Sequence, residues 1–179
     1  MKATGIVRRI DDLGRIVIPK EIRSTLRIRE GDPLEIFVDE GGEVILKKYS
    51  PISELGSFAK EYAETLFESL NHIVLIADRN TYIAVGGRSK KDYANKEIGE
   101  AIESAICGRQ SIVQTTEGEY NIVGNSTEKV TAFIIAPIIA NSDQVGAIVM
   151  LSKSERTMGE VEQKLTETAA GFFAKQMEQ

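Results

Sequence analysis

The chain has 179 residues, of which 42% are hydrophobic and 27% charged, and its formal net charge is −5. This composition is ordinary for a soluble globular protein and excludes bulk disorder, and the length fits one large domain or two small ones. The start lacks the apolar stretch of a signal peptide, and the longest apolar run, residues 132–140, is far short of the roughly 18–20 residues of a membrane helix. We therefore expect a cytoplasmic protein.

The charge is distributed unevenly along the chain. Residues 1–29 carry eight basic and three acidic residues, whereas residues 30–46 carry six acids and no base. Residues 51–179 carry 12 bases and 18 acids. Because a polyanion partner is recognised by a local basic patch and not by the total charge, the first 29 residues are the candidate nucleic-acid surface.

Residues 1–49 form a short segment that is rich in turn signals. Arg15–Pro19 reads as a strand that ends at proline, Lys20–Leu26 as a short helix, and residues 34–39 and 43–48 as a hairpin around Gly41-Gly42. About fifty residues without a disulfide or a metal bury little core and leave strand edges unpaired. We therefore predict an obligate dimer in which two copies interleave their strands.

The remaining residues alternate helical and strand patterns. Ser50-Pro51 begins a predicted helix that runs to about Leu70 with one apolar stripe. A final helix is predicted from about Met158, with Thr157 and Glu160 as a capping box and with a buried stripe of Val161, Leu165, Ala169 and Phe172. Between these helices, the sequence predicts a helix over residues 97–107 and strands over residues 72–78, 82–85, 111–116, 131–139 and 145–152.

This order of elements is typical of an α+β sensor domain with flanking helices. The predicted organisation is a DNA-binding domain over residues 1–50, a linker or interface helix over 51–70, and a sensor and oligomerisation domain over 71–179. The single cysteine, Cys107, lies on an apolar helix face and is expected to be a buried structural thiol.

The N-terminal segment resembles a known family of regulators. The residues that carry the resemblance are TGIVRRIDDLGRIVIP at 4–19, Glu21-Ile22-Arg23, GDPLEI at 31–36 and ILKKY at 45–49. They are similar to the AbrB-type transition-state regulators, and the longer C-terminal part is similar to sporulation regulators of this family whose second half is a GAF domain. The resemblance implies a swapped-hairpin β-barrel dimer that binds double-stranded DNA, and a GAF pair that helps to form a tetramer. It also implies activation and repression of genes in the developing forespore.

The resemblance further implies which residues contact DNA. Arg8, Arg15 and Arg23 match the basic positions of the family, and Arg9 stands where a second basic residue follows. Ser24 replaces a further arginine, and it can donate a hydrogen bond to phosphate without adding charge. On charge and position alone, the candidate set also includes Lys2 and Lys20.

The residue chemistry supports this interface independently, but it leaves an alternative. Arginine offers a planar fork of donors that fits phosphate oxygens and guanine edges. The same arginines could instead be solvated surface residues, or be paired with the neighbouring acids Asp11, Asp12 and Glu21. Both interpretations remain open at the level of sequence.

No catalytic, metal or cofactor site is predicted. Asp11-Asp12 lacks a nearby histidine or third carboxylate, so turn-forming and arginine-orienting roles are favoured. His72 is interpreted as structural, and Gly86–Ser89 as a plain turn because it lacks the flanks of a phosphate-binding loop.

The sequence is compatible with three classes of function, to different degrees. The first is a DNA-binding transcription regulator whose second domain assembles a tetramer or senses an unidentified small molecule. The alternative is an antitoxin-type autorepressor, because related swapped barrels serve that role. An enzyme built on the second domain, such as a reductase or a cyclic-nucleotide enzyme, is poorly supported by one cysteine, one histidine and no metal-ligand spacing.

Overall fold

The computed structural model describes residues 5–88, 90–154 and 156–178, and Lys2 lies outside these ranges. The chain divides between Tyr49 and Ser50 into two compact units, which we call unit 1 and unit 2. Among the described residues, no helix is long and apolar enough to cross a membrane.

Unit 1 contains one short helix and one hairpin, with bounds α1 (Lys20–Thr25), β1 (Leu34–Val38) and β2 (Val44–Lys48). The strands pair antiparallel from Leu34 opposite Lys48 to Val38 opposite Val44. In the connecting turn, the Asp39 carboxylate accepts the backbone N–H of Glu43 at 2.8 Å, and Gly42 takes a left-handed φ of +78°. The helix and the hairpin therefore form where the sequence places them.

The strand predicted over Arg15–Pro19 is wrong for the single chain. These residues belong to no strand, and the side chains of Ile16 and Val17 are largely exposed. A strand requires a neighbouring strand to satisfy its backbone groups. Among the described residues of unit 1, the only such ladder joins β1 and β2, so this segment has no partner strand there.

Unit 2 contains five helices and seven strands among its described residues. In chain order they are α2 (Pro51–Glu54), α3 (Gly56–Leu70), β3 (Ile73–Asp78), β4 (Tyr82–Gly86), α4 (Lys90–Tyr93), α5 (Glu100–Gly108), β5 (Ile112–Gln114), β6 (Gly118–Val123), β7 (Ser126–Val130), β8 (Ala132–Ala140), β9 (Asp143–Ser152) and α6 (Glu160–Met177).

The centre of unit 2 is an antiparallel sheet of five strands in the order β4-β3-β9-β8-β5. Strands β8 and β9 meet at a tight turn in which Asn141 and Ser142 both take left-handed φ angles of 48° and 68°. Two consecutive left-handed residues suit a two-residue hairpin turn. Strands β6 and β7 form a separate hairpin.

Two buried clusters cover the two faces of this sheet. On one face, Ile76 and Ile134 pack with Ala59 of α3 and Phe173 of α6. On the other face, the cluster joins the sheet to α5 and to the β6–β7 hairpin through residues that include Leu75, Tyr82, Tyr93, Ile102, Ile122 and Ile135. The result is a three-layer α+β domain with helices on both faces.

The bounds of two predicted helices differ from the sequence interpretation. The helix expected from Pro51 to Leu70 is interrupted at Leu55, which is both the C-cap of α2 and the N-cap of α3. Helix α5 begins at Glu100 and not at Glu97, because Glu97 and Ile98 pair as isolated bridges with Thr81 and Val123. The hairpin β6–β7 and the short helix α4 were not predicted, because their polar sequences carry no clear apolar period.

The last helix corrects two predictions. Its capping contact is the Glu162 carboxylate, which accepts the backbone N–H of Gly159 at 2.8 Å, so the box at Thr157 and Glu160 is wrong. The predicted stripe is also displaced, since Val161 is 64% and Phe172 38% exposed. The buried face of α6 instead carries residues 166, 169, 170, 173 and 174. Their spacing of three and four positions places them on one side of the helix, which is not the side that the prediction chose.

The expectation that Cys107 is buried is wrong. The side chain is exposed. Helix α5 directs Ile102, Ala105 and Ile106 into the core, and one further residue turns about 100° away from Ile106. Cys107 therefore lies on the outer side of the helix.

Candidate nucleic-acid interface

The candidate DNA-binding arginines lie in three parts of unit 1. Arg8 and Arg9 are exposed within residues 5–10, Arg15 follows a short loop, and Arg23 lies on α1, half-buried. Arg8 and Arg9 make no ion pair with the residues that the structure describes. The cationic groups are therefore available on the surface of the unit.

Asp11 organises the loop that leads to Arg15. Its Oδ1 accepts the backbone N–H of Leu13 at 3.0 Å and of Arg15 at 2.8 Å, while its Oδ2 accepts Nε of Arg15 at 2.9 Å. The backbone N–H of Arg15, followed by its side chain and the N–H of Leu13, holds the pKa of Asp11 below its ordinary value. Gly14 supports the loop with a left-handed φ of +75° and a hydrogen bond to the Asp11 carbonyl. Asp11 is thus ionised and engaged at both oxygens.

The ion pair leaves most of Arg15 open to a ligand. The Arg15 side chain is 69% exposed although its Nε is bonded to Asp11. The printed contact involves Nε alone, so the end of the guanidinium formed by the two terminal nitrogens can still donate to a ligand. The sequence-level alternatives are therefore not exclusive, because one residue can be paired with an acid and still present donors to DNA.

Helix α1 gathers three candidate residues on one face. Lys20, Arg23 and Ser24 are spaced i, i+3 and i+4, which places them side by side on a helix. The Nε of Arg23 donates to the carbonyl of Ile18 at 3.2 Å, which ties the side chain to the segment before the helix. Lys20 and Ser24 are exposed.

One link within unit 1 could not be foreseen from sequence spacing. The ammonium of Lys48 donates to the carbonyl of Arg27 at 2.7 Å, and so connects β2 to the residue beyond the end of α1. The two residues are 21 positions apart, and no local pattern joins them. This bond holds the hairpin beside the helix that carries Arg23.

Unit 1 also exposes an unusual amount of apolar surface. Pro19 is the only residue classed as buried among residues 5–49. On the hairpin, cross-strand pairing places one set of apolar side chains on a single face: Leu34, Ile36, Val38, Val44 and Leu46. We call this set the hairpin apolar face. Its members Ile36, Val38 and Val44 are 66%, 73% and 67% exposed.

The remaining candidate residues give no sign of catalysis. His72 is buried, and burial lowers its pKa below the ordinary value. Gly87 forms a turn with φ of +119° against the ring of Phe67, and Ser89 of the same motif lies outside the described residues. No group of three metal-ligating side chains occurs in the described part of the chain.

Comparison with known proteins identifies both units. Residues 54–178 match the family described as stage V sporulation protein T C-terminal, transcription factor. Over all 179 residues, and over the full length of both chains, the sequence is 64% identical to stage V sporulation protein T of Bacillus subtilis. The chain belongs to the stage V sporulation protein T family. It is a sporulation regulator with an AbrB-type DNA-binding domain followed by the transcription-factor domain of stage V sporulation protein T.

The N-terminal unit has its own relatives. Residues 7–54 match the family described as antidote-toxin recognition MazE, bacterial antitoxin. A stretch of 51 residues is 63% identical to the transition state regulatory protein AbrB of Bacillus subtilis, covering 28% of this chain and 52% of AbrB. The resemblance drawn from residues 4–49 is confirmed.

Solved structures confirm the fold of unit 2. The GAF domain of a phosphoenolpyruvate-protein phosphotransferase from Coxiella burnetii aligns with a TM-score of 0.55 at 18% identity, covering 68% of this chain and 80% of that domain. A type II free methionine-R-sulfoxide reductase from Thermoplasma acidophilum aligns with a TM-score of 0.54 at 14% identity, covering 70% and 94%. At these identities the likeness establishes a GAF-like fold alone. The predicted two-domain architecture is confirmed.

Proposed function

We propose that this regulator binds DNA as a dimer of unit 1, with Arg8, Arg15 and Arg23 as the principal contacts. Arg9, Lys20, Lys2 and Ser24 are proposed as supporting contacts. The observation that carries the proposal is the exposed cationic loop-and-helix surface, in which Arg15 is fixed at one edge and open at the other. Arginines presented in this way supply paired donors to phosphates and base edges.

The hairpin apolar face supports the dimer. An exposed apolar surface of this extent in an otherwise charged unit marks a protein–protein interface. A second copy of the same chain offers a self-complementary surface through two-fold symmetry. Such a dimer presents every arginine twice and so contacts two half-sites of an operator.

Unit 2 is proposed to set the assembly and the response of the regulator. The ring of Phe172 on α6 packs against Phe58 and Tyr62 of α3, with ring centroids 5.7 and 5.8 Å apart, and only the Tyr62 ring is stacked on it. Phe172 and Val161 remain partly exposed. This aromatic edge supports pairing of two GAF-like domains, and hence a tetramer. A small-molecule effector would act only by binding the DNA-competent and DNA-incompetent states unequally.

The biological setting is proposed from the resemblance to the family. We place the regulator in the cytoplasm, at the nucleoid of the developing forespore, where it activates some sporulation genes and represses others. An enzymatic role is not proposed. The antitoxin alternative is less favoured, although residues 7–54 match an antitoxin family, because the relative that is 64% identical over the full length carries a sporulation name.

The DNA contact is tested by Arg15→Ala. We expect the variant to lose its band shift on promoter fragments while its circular dichroism spectrum is unchanged. Normal affinity in the folded variant would contradict the assignment of Arg15. The regulatory role is tested by genome-wide binding in sporulating cells, compared with expression changes in a deletion strain. Binding sites that show no overlap with genes of altered expression would contradict it.

A further inference from the structure

We infer that Asp11 is a positioning residue that aims the guanidinium of Arg15 at base edges and thereby contributes to sequence discrimination. The inference rests on the proposed function, because it requires Arg15 to contact DNA. It concerns a residue that carries the wrong charge for a DNA-binding surface. Its position there therefore calls for a physical reason.

The two oxygens of Asp11 have separate roles. Oδ1 holds the loop by accepting the backbone N–H groups of Leu13 and Arg15, at 3.0 and 2.8 Å. Oδ2 holds the side chain of Arg15 through Nε at 2.9 Å. One carboxylate thus fixes both the backbone of the loop and the direction of the guanidinium. A substitution that alters Oδ2 but retains Oδ1 separates the two effects.

Electrostatics alone would disfavour this arrangement. A carboxylate beside a phosphate surface repels the DNA, and removing it should strengthen binding to any sequence. The neighbouring Asp12 carries the same charge, but neither a side-chain hydrogen bond nor an ion pair to the residues that the structure describes. The pair of acids therefore offers a charge-matched comparison within one loop.

A gain in sequence specificity is the physical reason we give for the carboxylate of Asp11 at this position. A contact to phosphate tolerates a mobile cation, whereas readout of a base edge requires the guanidinium plane to be directed correctly. When Nε is held by Asp11, the two terminal nitrogens form the free end of the fork, which is the geometry of a bidentate contact. A side chain that is ordered before binding also loses less conformational freedom on binding.

The size of the effect follows from that freedom. Ordering a long side chain during binding lowers affinity by about 2- to 10-fold. A dimer contains two copies of the contact, so loss of the Asp11 bond is expected to weaken binding to a preferred sequence by about 4- to 100-fold. Binding to unrelated DNA depends on charge, and it should be unchanged or tighter.

The experiment uses the full-length protein and two duplexes. One duplex is recovered from a random-sequence pool by the unmodified protein, and the other has the same composition in shuffled order. Affinities are measured by fluorescence anisotropy at fixed salt. The variants are Asp11→Asn, its control Asp12→Asn, Arg15→Ala, Arg15→Lys, and Asp11→Asn combined with Arg15→Lys. Asparagine retains Oδ1 for the loop but replaces Oδ2 with a donor, which cannot accept from Nε of Arg15.

We expect Asp11→Asn to weaken binding to the selected duplex and not to the shuffled one, and Asp12→Asn to weaken neither. In the Arg15→Lys background there is no guanidinium to aim, so Asp11→Asn should change affinity for the selected duplex by less than about 2-fold. An equal loss on both duplexes, a gain on both, or a loss that persists with Arg15→Lys would each overturn the inference. Arg15→Ala separates the two claims: if it binds the selected duplex normally, the proposed function of Arg15 is wrong, and not only the role of Asp11.

Discussion

The hairpin apolar face of unit 1 leads to a quantitative prediction about assembly. Ile36 lies at its centre, opposite Leu46, and is 66% exposed in the single chain. Full burial of an isoleucine stabilises a protein by about 1.5–3 kcal/mol, so burying this remaining two-thirds contributes about 1–2 kcal/mol. A symmetric dimer contains two copies, and Ile36→Ser is therefore expected to weaken dimerisation by about 2–4 kcal/mol, or about 30- to 1000-fold in Kd.

Sedimentation equilibrium over a range of concentrations measures this change directly. Unit 2 is a separate compact unit, so its far-ultraviolet circular dichroism should persist in the variant and show that the chain has not unfolded as a whole. DNA binding should weaken in parallel, because the two half-sites are contacted only by a dimer. Any association through unit 2 should remain, so the variant should form a dimer where the unmodified chain forms a tetramer.

The matched control is Glu35→Ser. This residue precedes Ile36 on β1, points to the opposite face, and pairs across the hairpin with Lys47. It should change the association constant by little, because a surface substitution away from an interface usually alters stability by less than about 0.5 kcal/mol. If Ile36→Ser associates as the unmodified chain does, or if Glu35→Ser weakens association equally, the proposal that the hairpin apolar face forms the dimer interface is refuted.

Three further predictions concern salt, stability and pH. If four to eight phosphates are neutralised per dimer, log K should fall with log salt with a slope of about −3.5 to −7 in an anisotropy titration, and a slope near zero would contradict phosphate contact. Tyr82→Phe removes a buried hydroxyl that donates to the Ile122 carbonyl at 2.7 Å. Because that carbonyl still accepts the N–H of Gly99, the free energy of unfolding in a urea titration should fall by only about 1 kcal/mol. An unchanged free energy of unfolding would contradict a stabilising hydrogen bond. Burial lowers the pKa of His72 in the folded chain, so the unfolded chain takes up a proton at this imidazole at a higher pH than the folded chain does. The free energy of unfolding should therefore fall as pH decreases below about 6.5. His72→Gln should flatten this part of the profile, and an unchanged profile would exclude His72 as its cause.

The elements that could be predicted from sequence are those with local signals. The hairpin around Gly41-Gly42 and the turn at Asn141-Ser142 form as expected, since left-handed residues between alternating apolar strands specify a hairpin. The sheet strands β8 and β9 were also found, because long β-branched runs indicate buried strands. In each case the information lies within a few neighbouring residues.

The errors arise where a partner distant in sequence decides the outcome. Arg15–Pro19 has the composition of a strand, but it forms none without a neighbour. The β6–β7 hairpin is stabilised by tertiary contacts such as the hydrogen bond of Tyr93 to Glu128 at 2.9 Å, which no local period reveals. The stripe on α6 was misplaced because Val161 and Phe172 are apolar residues on an outer face, and apolarity alone does not identify the buried side.

The candidate site was predictable in its residues but not in its geometry. The local excess of positive charge and the family resemblance identified Arg8, Arg15 and Arg23. The sequence left open whether Asp11 competes with DNA for Arg15 or assists the contact. The separate hydrogen bonds of the two Asp11 oxygens favour assistance, and no sequence pattern reveals them.

The central claim is that DNA is bound by the basic surface of unit 1, and charge-matched triple variants test it most directly. One protein carries Arg8→Gln, Arg15→Gln and Arg23→Gln, and the other carries glutamine at three exposed bases of unit 2: Arg88, Lys91 and Lys96. Both lose three positive charges, so their affinities for a selected duplex can be compared at one salt concentration. The account predicts that the first variant loses binding by more than about 100-fold while the second binds within about 3-fold of the unmodified protein. Equal losses, or a greater loss in the second variant, would contradict it.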